Sequence, residues 1–201
     1  MKNNYVIGIT GGLGAGKSTL LYILENTYHA KVYQADRISR SLSLAGGPAF
    51  DDIVKLFGEN ILMPDGNPDR NRIAHIVFED GEKLTALENI LHPAVREFLK
   101  SKAEGREGLV VLEAALPLKA GFDEICDEVW YISSDAESRI NRVIETRGYT
   151  REKAEEIIAS QMSDEEYRNI ADFVIENDGS IEKLEAIVKE RINKIEFLKE
   201  V

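Results

Sequence analysis

A chain of 201 residues, 43% hydrophobic and 30% charged, can bury roughly 70% of its unfolded surface and is too apolar to remain disordered. Its net charge of −11, from 36 acidic and 25 basic residues, opposes nucleic acid and anionic lipid, so cations that serve a ligand must be focused in a cleft. A single cysteine, Cys126, excludes an intramolecular disulfide. With no signal-peptide pattern and no apolar stretch near the roughly 20 residues of a membrane span, the expectation is a cytoplasmic protein, monomeric by default, with neither nucleic-acid nor membrane partners.

In chain order, apolar runs of strand length alternate with stretches of helical period. Tyr5–Thr10 (YVIGIT) predicts a first buried strand, followed by a glycine loop and a helix over Lys17–Asn26. Lys31–Ala35 predicts a second strand, with helices from Asp36 to about Leu44 and from Pro48 to Phe57. Leu109–Glu113, Glu128–Ser133 and Phe173–Glu176 predict three more strands, and a closing helix starts near Ser180. Such alternation implies parallel pairing through right-handed crossovers, hence a three-layer α/β/α fold on a five-stranded parallel sheet.

Two stretches interrupt the alternation. Residues 58–108 hold a turn-rich segment, Met63–Pro68, and then helical patterns that the sequence predicts to be interrupted at His92-Pro93. Residues 135–170 are polar, charged and helical, with a break at Gly148. Both read as inserts in a single domain spanning 1–201, the first on the substrate side and the second a lid.

Gly11-Gly12-Leu13-Gly14-Ala15-Gly16-Lys17-Ser18 satisfies G-x-x-x-x-G-K-S/T between a strand and a helix. This motif predicts an ATP site. Backbone N–H groups from Gly12, Leu13, Gly14, Ala15, Gly16 and Thr19 cradle phosphates, Lys17 bridges the β- and γ-phosphates, and Ser18 holds Mg²⁺. The dinucleotide fingerprint G-x-G-x-x-G fails because Lys17 stands where its last glycine would. A guanine-specifying N-K-x-D is absent as well, since Asn193-Lys194 is followed by Ile195-Glu196.

A kinase of this size also needs a proton acceptor and cations over the transferred group. Asp36, at the end of the second strand, is placed either to accept a proton or to cap the helix that follows. Arg139 and Arg142 share a helix face, whereas Arg147 lies about 140° round from Arg142 unless Gly148 re-aims it. These arginines either close over phosphates or form a solvated lid face. Arg37 and Arg40 either hold substrate phosphates or decorate the surface. Glu113 at the end of the third strand is an alternative metal group or an ordinary strand-end acid, and Trp130 and Tyr131 read as core.

Ile7–Ser18 is similar to the G-L-T-G-G-I-G-S-G-K-S opening of dephospho-CoA kinases, and Gln34–Arg40 resembles their D-A-D-x-x-A-R segment. Further matches follow in family order: Asp69-Arg70 with Ile76-Val77-Phe78, Leu87–Pro93 (L-E-x-I-x-H-P), Gln161, and Ala171–Asn177 (A-D-x-V-I-x-N). The resemblance implies phosphorylation by Mg·ATP of the ribose 3′-hydroxyl of dephospho-CoA. It implies Asp36 as base, Lys17 and Arg147 as catalytic cations, Arg142 on ATP, and Arg40 and His92 on the substrate side. Lys119 departs from the pattern, standing where relatives carry an acid, and keeps open a kinase for another nucleoside or small alcohol. An ATP-binding regulatory protein without turnover is the reading from a different class.

Overall fold

The computed structural model describes residues 3–105 and 107–196. Its elements in chain order are β1 (Asn4–Thr10), α1 (Lys17–Tyr28), β2 (Lys31–Gln34), α2 (Ala35–Leu42), α3 (Phe50–Phe57), a 3₁₀ turn (Glu59–Ile61), α4 (Arg70–Glu79) and α5 (Gly81–Glu104). Then follow β3 (Gly108–Glu113), α6 (Phe122–Ile125), β4 (Glu128–Ser133), α7 (Ala136–Arg147), α8 (Arg151–Ala159), α9 (Asp164–Asn169), β5 (Phe173–Glu176) and α10 (Ile181–Ile192). The chain divides into two compact units: Met1–Tyr33 with Ala103–Val201, and Gln34–Lys102.

In the first unit, the strands form a five-stranded sheet in the order β2-β3-β1-β4-β5, with the β1–β3, β1–β4 and β4–β5 pairs all parallel. β1 is central because both its faces are apolar, as a parallel strand covered on each side requires. Ile7 and Ile9 pack with Leu109, Val111, Trp130 and Ile132 against Leu20 and Leu24 of α1 and Leu184 and Val188 of α10. The opposite face meets α6 and α9: a Cβ on Gly8 would lie 2.5 Å from the Phe122 ring, and Tyr131 stacks on Tyr167 at 4.8 Å. Trp130 is fully buried, with its Nε1 donating to Glu128 Oε2 at 2.7 Å, so the core reading of Trp130 and Tyr131 holds.

Thr10, the last residue of β1, is buried with its hydroxyl unpartnered among the described residues. A buried donor without an acceptor costs about 1–3 kcal/mol. Thr10→Val keeps the shape and removes the hydroxyl. It should raise stability by about 1 kcal/mol, read as a melting temperature some 2–4 °C higher by calorimetry. An unchanged or lower value would mean that water reaches this oxygen.

Several element ends shift by one or two residues from the sequence expectation, and two differences change the reading. Ala35 is the first residue of α2 and not the end of a strand. α5 also runs without a break from Gly81 to Glu104 through Pro93, correcting the interruption expected at His92-Pro93. Proline removes one hydrogen bond, to the carbonyl four residues back, at a cost of about 3 kcal/mol. Leu87, Leu91, Val95 and Leu99 keep one spacing of four across it, and the burial of Val95 and Leu99 rewards a continuous helix. The break at Gly148 is present: Gly148 takes φ 64° at the end of α7, and its N–H closes on the Ile144 carbonyl.

Candidate active site

β1 ends at Thr10 and α1 begins at Lys17, so the six residues between them turn the chain back onto the sheet. Gly16 occupies the N-cap position of α1 at φ 104°, a conformation that side chains other than glycine rarely adopt. The Gly14 and Gly16 N–H groups have no acceptor among the described residues, and no side chain caps α1. Loop and helix start thus present a set of free donors at the positive end of a helix dipole, which fits a polyphosphate. Ser18 is exposed in the first turn of α1, where its hydroxyl fits a metal-ligand role, and Thr19 follows with its N–H on the Gly16 carbonyl.

Lys17 folds back over its own loop. Its Nζ donates to the Gly11 carbonyl at 2.7 Å and the Gly12 carbonyl at 3.2 Å, with Glu113 Oε1 3.9 Å away. Glu113 is buried at the end of β3, so an acid and an amine share the end of the sheet where the loop sits.

The loop is braced from sequence positions far away. Arg139 Nε donates to the Leu13 carbonyl at 2.8 Å, and Gln161 Oε1 accepts from the Leu13 N–H at 2.8 Å and from Arg139 Nη2 at 2.8 Å. Arg142 donates to the Gly14 carbonyl, to Ser134 Oγ and to the Asn177 carbonyl. Asn177 Nδ2 in turn donates to the Ala15 carbonyl at 2.8 Å. Leu13 packs against a small apolar cluster of Ile140, Val143 and Ala154, tying the loop to α7 and α8. Behind them Asp164 accepts from Tyr131 and Ser133 and pairs with Arg168, which holds its carboxyl below the usual range and fixes α9 on the sheet.

Arg142, which the sequence pattern assigned to ATP, therefore spends its donors on loop and strand-end oxygens. Arg147 stands exposed at the end of α7 with no hydrogen bond or ion pair among the described residues. Arg139, Gln161 and Asn177 are the side chains whose structural part the spacing did not reveal. Their partners lie more than a hundred residues away, except for the Arg139–Gln161 pair, and the motif matches at Gln161 and Asn177 were the only signal.

The second unit, Gln34–Lys102, holds Asp36, Arg40 and His92. Asp36 is exposed in the first turn of α2, while the N-cap position belongs to Gln34, and no side chain caps that helix. Arg40 is one turn on, and Arg70 opens α4, whose first N–H groups are capped by Asp69. Burial lowers the affinity of Arg70 for its proton, and the like charge of Arg40 adds to this, while Asp36 pulls the other way. The guanidinium remains charged, as arginine does in proteins. Arg40 and Arg70 line a cavity of about 220 Å³ whose walls are otherwise mostly apolar, among them Ile53, Ile73, Val77 and Leu91. His92 is half-buried in α5.

The sequence pattern described as CoaE, dephospho-CoA kinase, matches residues 5–183. The chain belongs to the dephospho-CoA kinase family. A dephospho-CoA kinase of Fusobacterium nucleatum is 40% identical over 181 residues, covering 89% of this chain and 92% of that one. Among solved structures, TT1252 from Thermus thermophilus superposes with a TM-score of 0.81 at 32% identity, over 96% of this chain and 99% of its own. A dephospho-CoA kinase from Campylobacter jejuni shares the fold, with a TM-score of 0.64 at 24% identity over 96% and 97% of the two chains. The three-layer P-loop kinase fold expected from the sequence is the family's fold. No described helix is long and apolar enough to cross a membrane.

Proposed function

We propose that this chain transfers the γ-phosphoryl group of ATP to the ribose 3′-hydroxyl of dephospho-CoA, the last step of coenzyme A synthesis. The observation that carries the acceptor is the grouping within residues 34–102. There an exposed carboxylate on α2, two neighbouring arginines and an apolar cavity suit a hydroxyl, a pyrophosphate and an apolar arm. Asp36 accepts the 3′-hydroxyl proton as the new O–P bond forms and the β,γ-bridging O–P bond breaks, releasing ADP. Loop N–H groups and Lys17 stabilise charge on the moving phosphoryl, and Ser18 would hold Mg²⁺, which would supply further neutralisation of phosphate charge. Arg40 and His92 serve the acceptor, while Arg142 and Arg147 act on the nucleotide side. The chain works as a single kinase domain, with about 58–108 on the substrate side and about 135–170 as a lid that excludes water.

The test is ADP release from Mg·ATP with and without dephospho-CoA, with the product identified by mass. Acceptor-dependent ADP and a product one phosphate heavier are expected. ATP binding with no acceptor-dependent ADP would remove the proposal, and turnover of another nucleoside instead would give Lys119 a part in specificity.

A further inference from the structure

Among the described residues of the first unit, the arginines that have protein partners fall into two sets, while Arg147 has none. Arg151 pairs with Glu137 and Glu155, Arg168 with Asp164 and Glu176, and Arg191 with Glu128, all carboxylates. Arg139 and Arg142, the two that touch the phosphate loop, are held only by neutral oxygens. In a chain of net charge −11, acids were available to pair with them.

Arg139 is the sharper case. Its guanidinium lies directly over the loop, since a Cβ on Gly12 would fall 2.0 Å from Nη2 and 2.6 Å from Cζ. It forms no ion pair among the described residues. Two N–H donors, from Leu13 and Arg139, converge on one atom of Gln161, which fixes that atom as the carboxamide oxygen. With the Arg139 bond to the Leu13 carbonyl, this makes a closed ring of three hydrogen bonds. A glutamate would fit the same space and satisfy both donors more strongly. It would also cancel the charge beside the loop.

We propose that Gln161 is a positioning residue that holds the Arg139 guanidinium on the phosphate loop without neutralising it, keeping that charge for the polyphosphate of ATP. This rests on the reading of the loop as an ATP site. Gln161 touches no reacting atom; it acts through Arg139 and the Leu13 N–H.

Gln161→Glu and Gln161→Met separate charge from geometry. Glutamate preserves the ring, so its melting temperature should equal or exceed that of the wild type, yet MgATP affinity by calorimetry should fall roughly tenfold or more. Methionine matches the length but accepts no strong hydrogen bond, so the melting temperature should drop while MgATP affinity falls less than with glutamate. A purely structural role predicts the same order of melting temperatures but the reverse ranking of MgATP affinity, with methionine worse than glutamate. That ranking, or wild-type MgATP affinity in Gln161→Glu, would overturn the proposal. If Gln161→Met fails to fold, Gln161→Glu alone decides. Wild-type protein that binds no MgATP would remove the ATP site and this proposal together. If it binds MgATP but leaves dephospho-CoA untouched, only the acceptor assignment falls and the ranking still applies.

Discussion

Replacing Asp36 by asparagine should lower turnover with dephospho-CoA by about 10²–10⁴-fold while leaving MgATP affinity within about twofold. Asparagine keeps the size and polarity of the side chain but cannot take a proton at neutral pH. The loss corresponds to about 3–5 kcal/mol of transition-state stabilisation. The structure separates this role from the structural one that sequence position left open. Gln34 holds the N-cap position of α2, and the Asp36 carboxylate makes no hydrogen bond among the described residues. Its remaining structural contribution is the favourable charge of an acid in a first helical turn, about 0.3–1 kcal/mol. Asp36→Asn should therefore shift the melting temperature by only a few degrees. Near-wild-type turnover would remove Asp36 from the base role, whereas a large stability loss would show that the carboxylate has a partner in solution.

The fold was legible because its determinants are local. Four of the five strands carry a short apolar run bounded by turn residues or a helical pattern, and β2 carries only Val32 and Tyr33. The phosphate loop was legible for the same reason, being one continuous segment. What escaped was either too short or too distant. α6 spans four residues, Phe122–Ile125, and cannot display a helical period. The continuity of α5 through Pro93 depends on burial of Val95 and Leu99, a tertiary reward that outweighs a local proline rule. The loop braces are tertiary too: Gln161, Arg139 and Asn177 reach Leu13 and Ala15 across more than 120 residues of sequence. Spacing alone placed Arg139 and Arg142 on one face, and that holds, since both face the loop. It could not show that Arg142 donates to carbonyls of the loop and of Asn177.

Gly16→Ala should be among the most damaging single substitutions in the chain, and its cost should divide into two separable parts. The first is conformational. Gly16 sits at φ 104°, and an L side chain held there costs about 1–3 kcal/mol. The second is steric: an added Cβ would fall 2.1 Å from Asn177 Nδ2, which donates to the Ala15 carbonyl at 2.8 Å. Asn177 is 9% exposed and cannot simply swing into solvent, so its hydrogen bond is lost and a buried polar group is left unpaired. Together these give about 3 kcal/mol or more, a melting temperature lower by about 6 °C or more. MgATP affinity should fall with it, because the Gly16 N–H is one of the loop donors. Removing the steric partner tests the division. In an Asn177→Ala background the added methyl keeps only an ordinary contact, 3.5 Å from Ile132 Cδ1, so Gly16→Ala should cost only the conformational part, and the difference between the two backgrounds is the coupling energy. Equal costs in both backgrounds would assign the whole effect to the backbone and leave Asn177 as a brace for Ala15 alone.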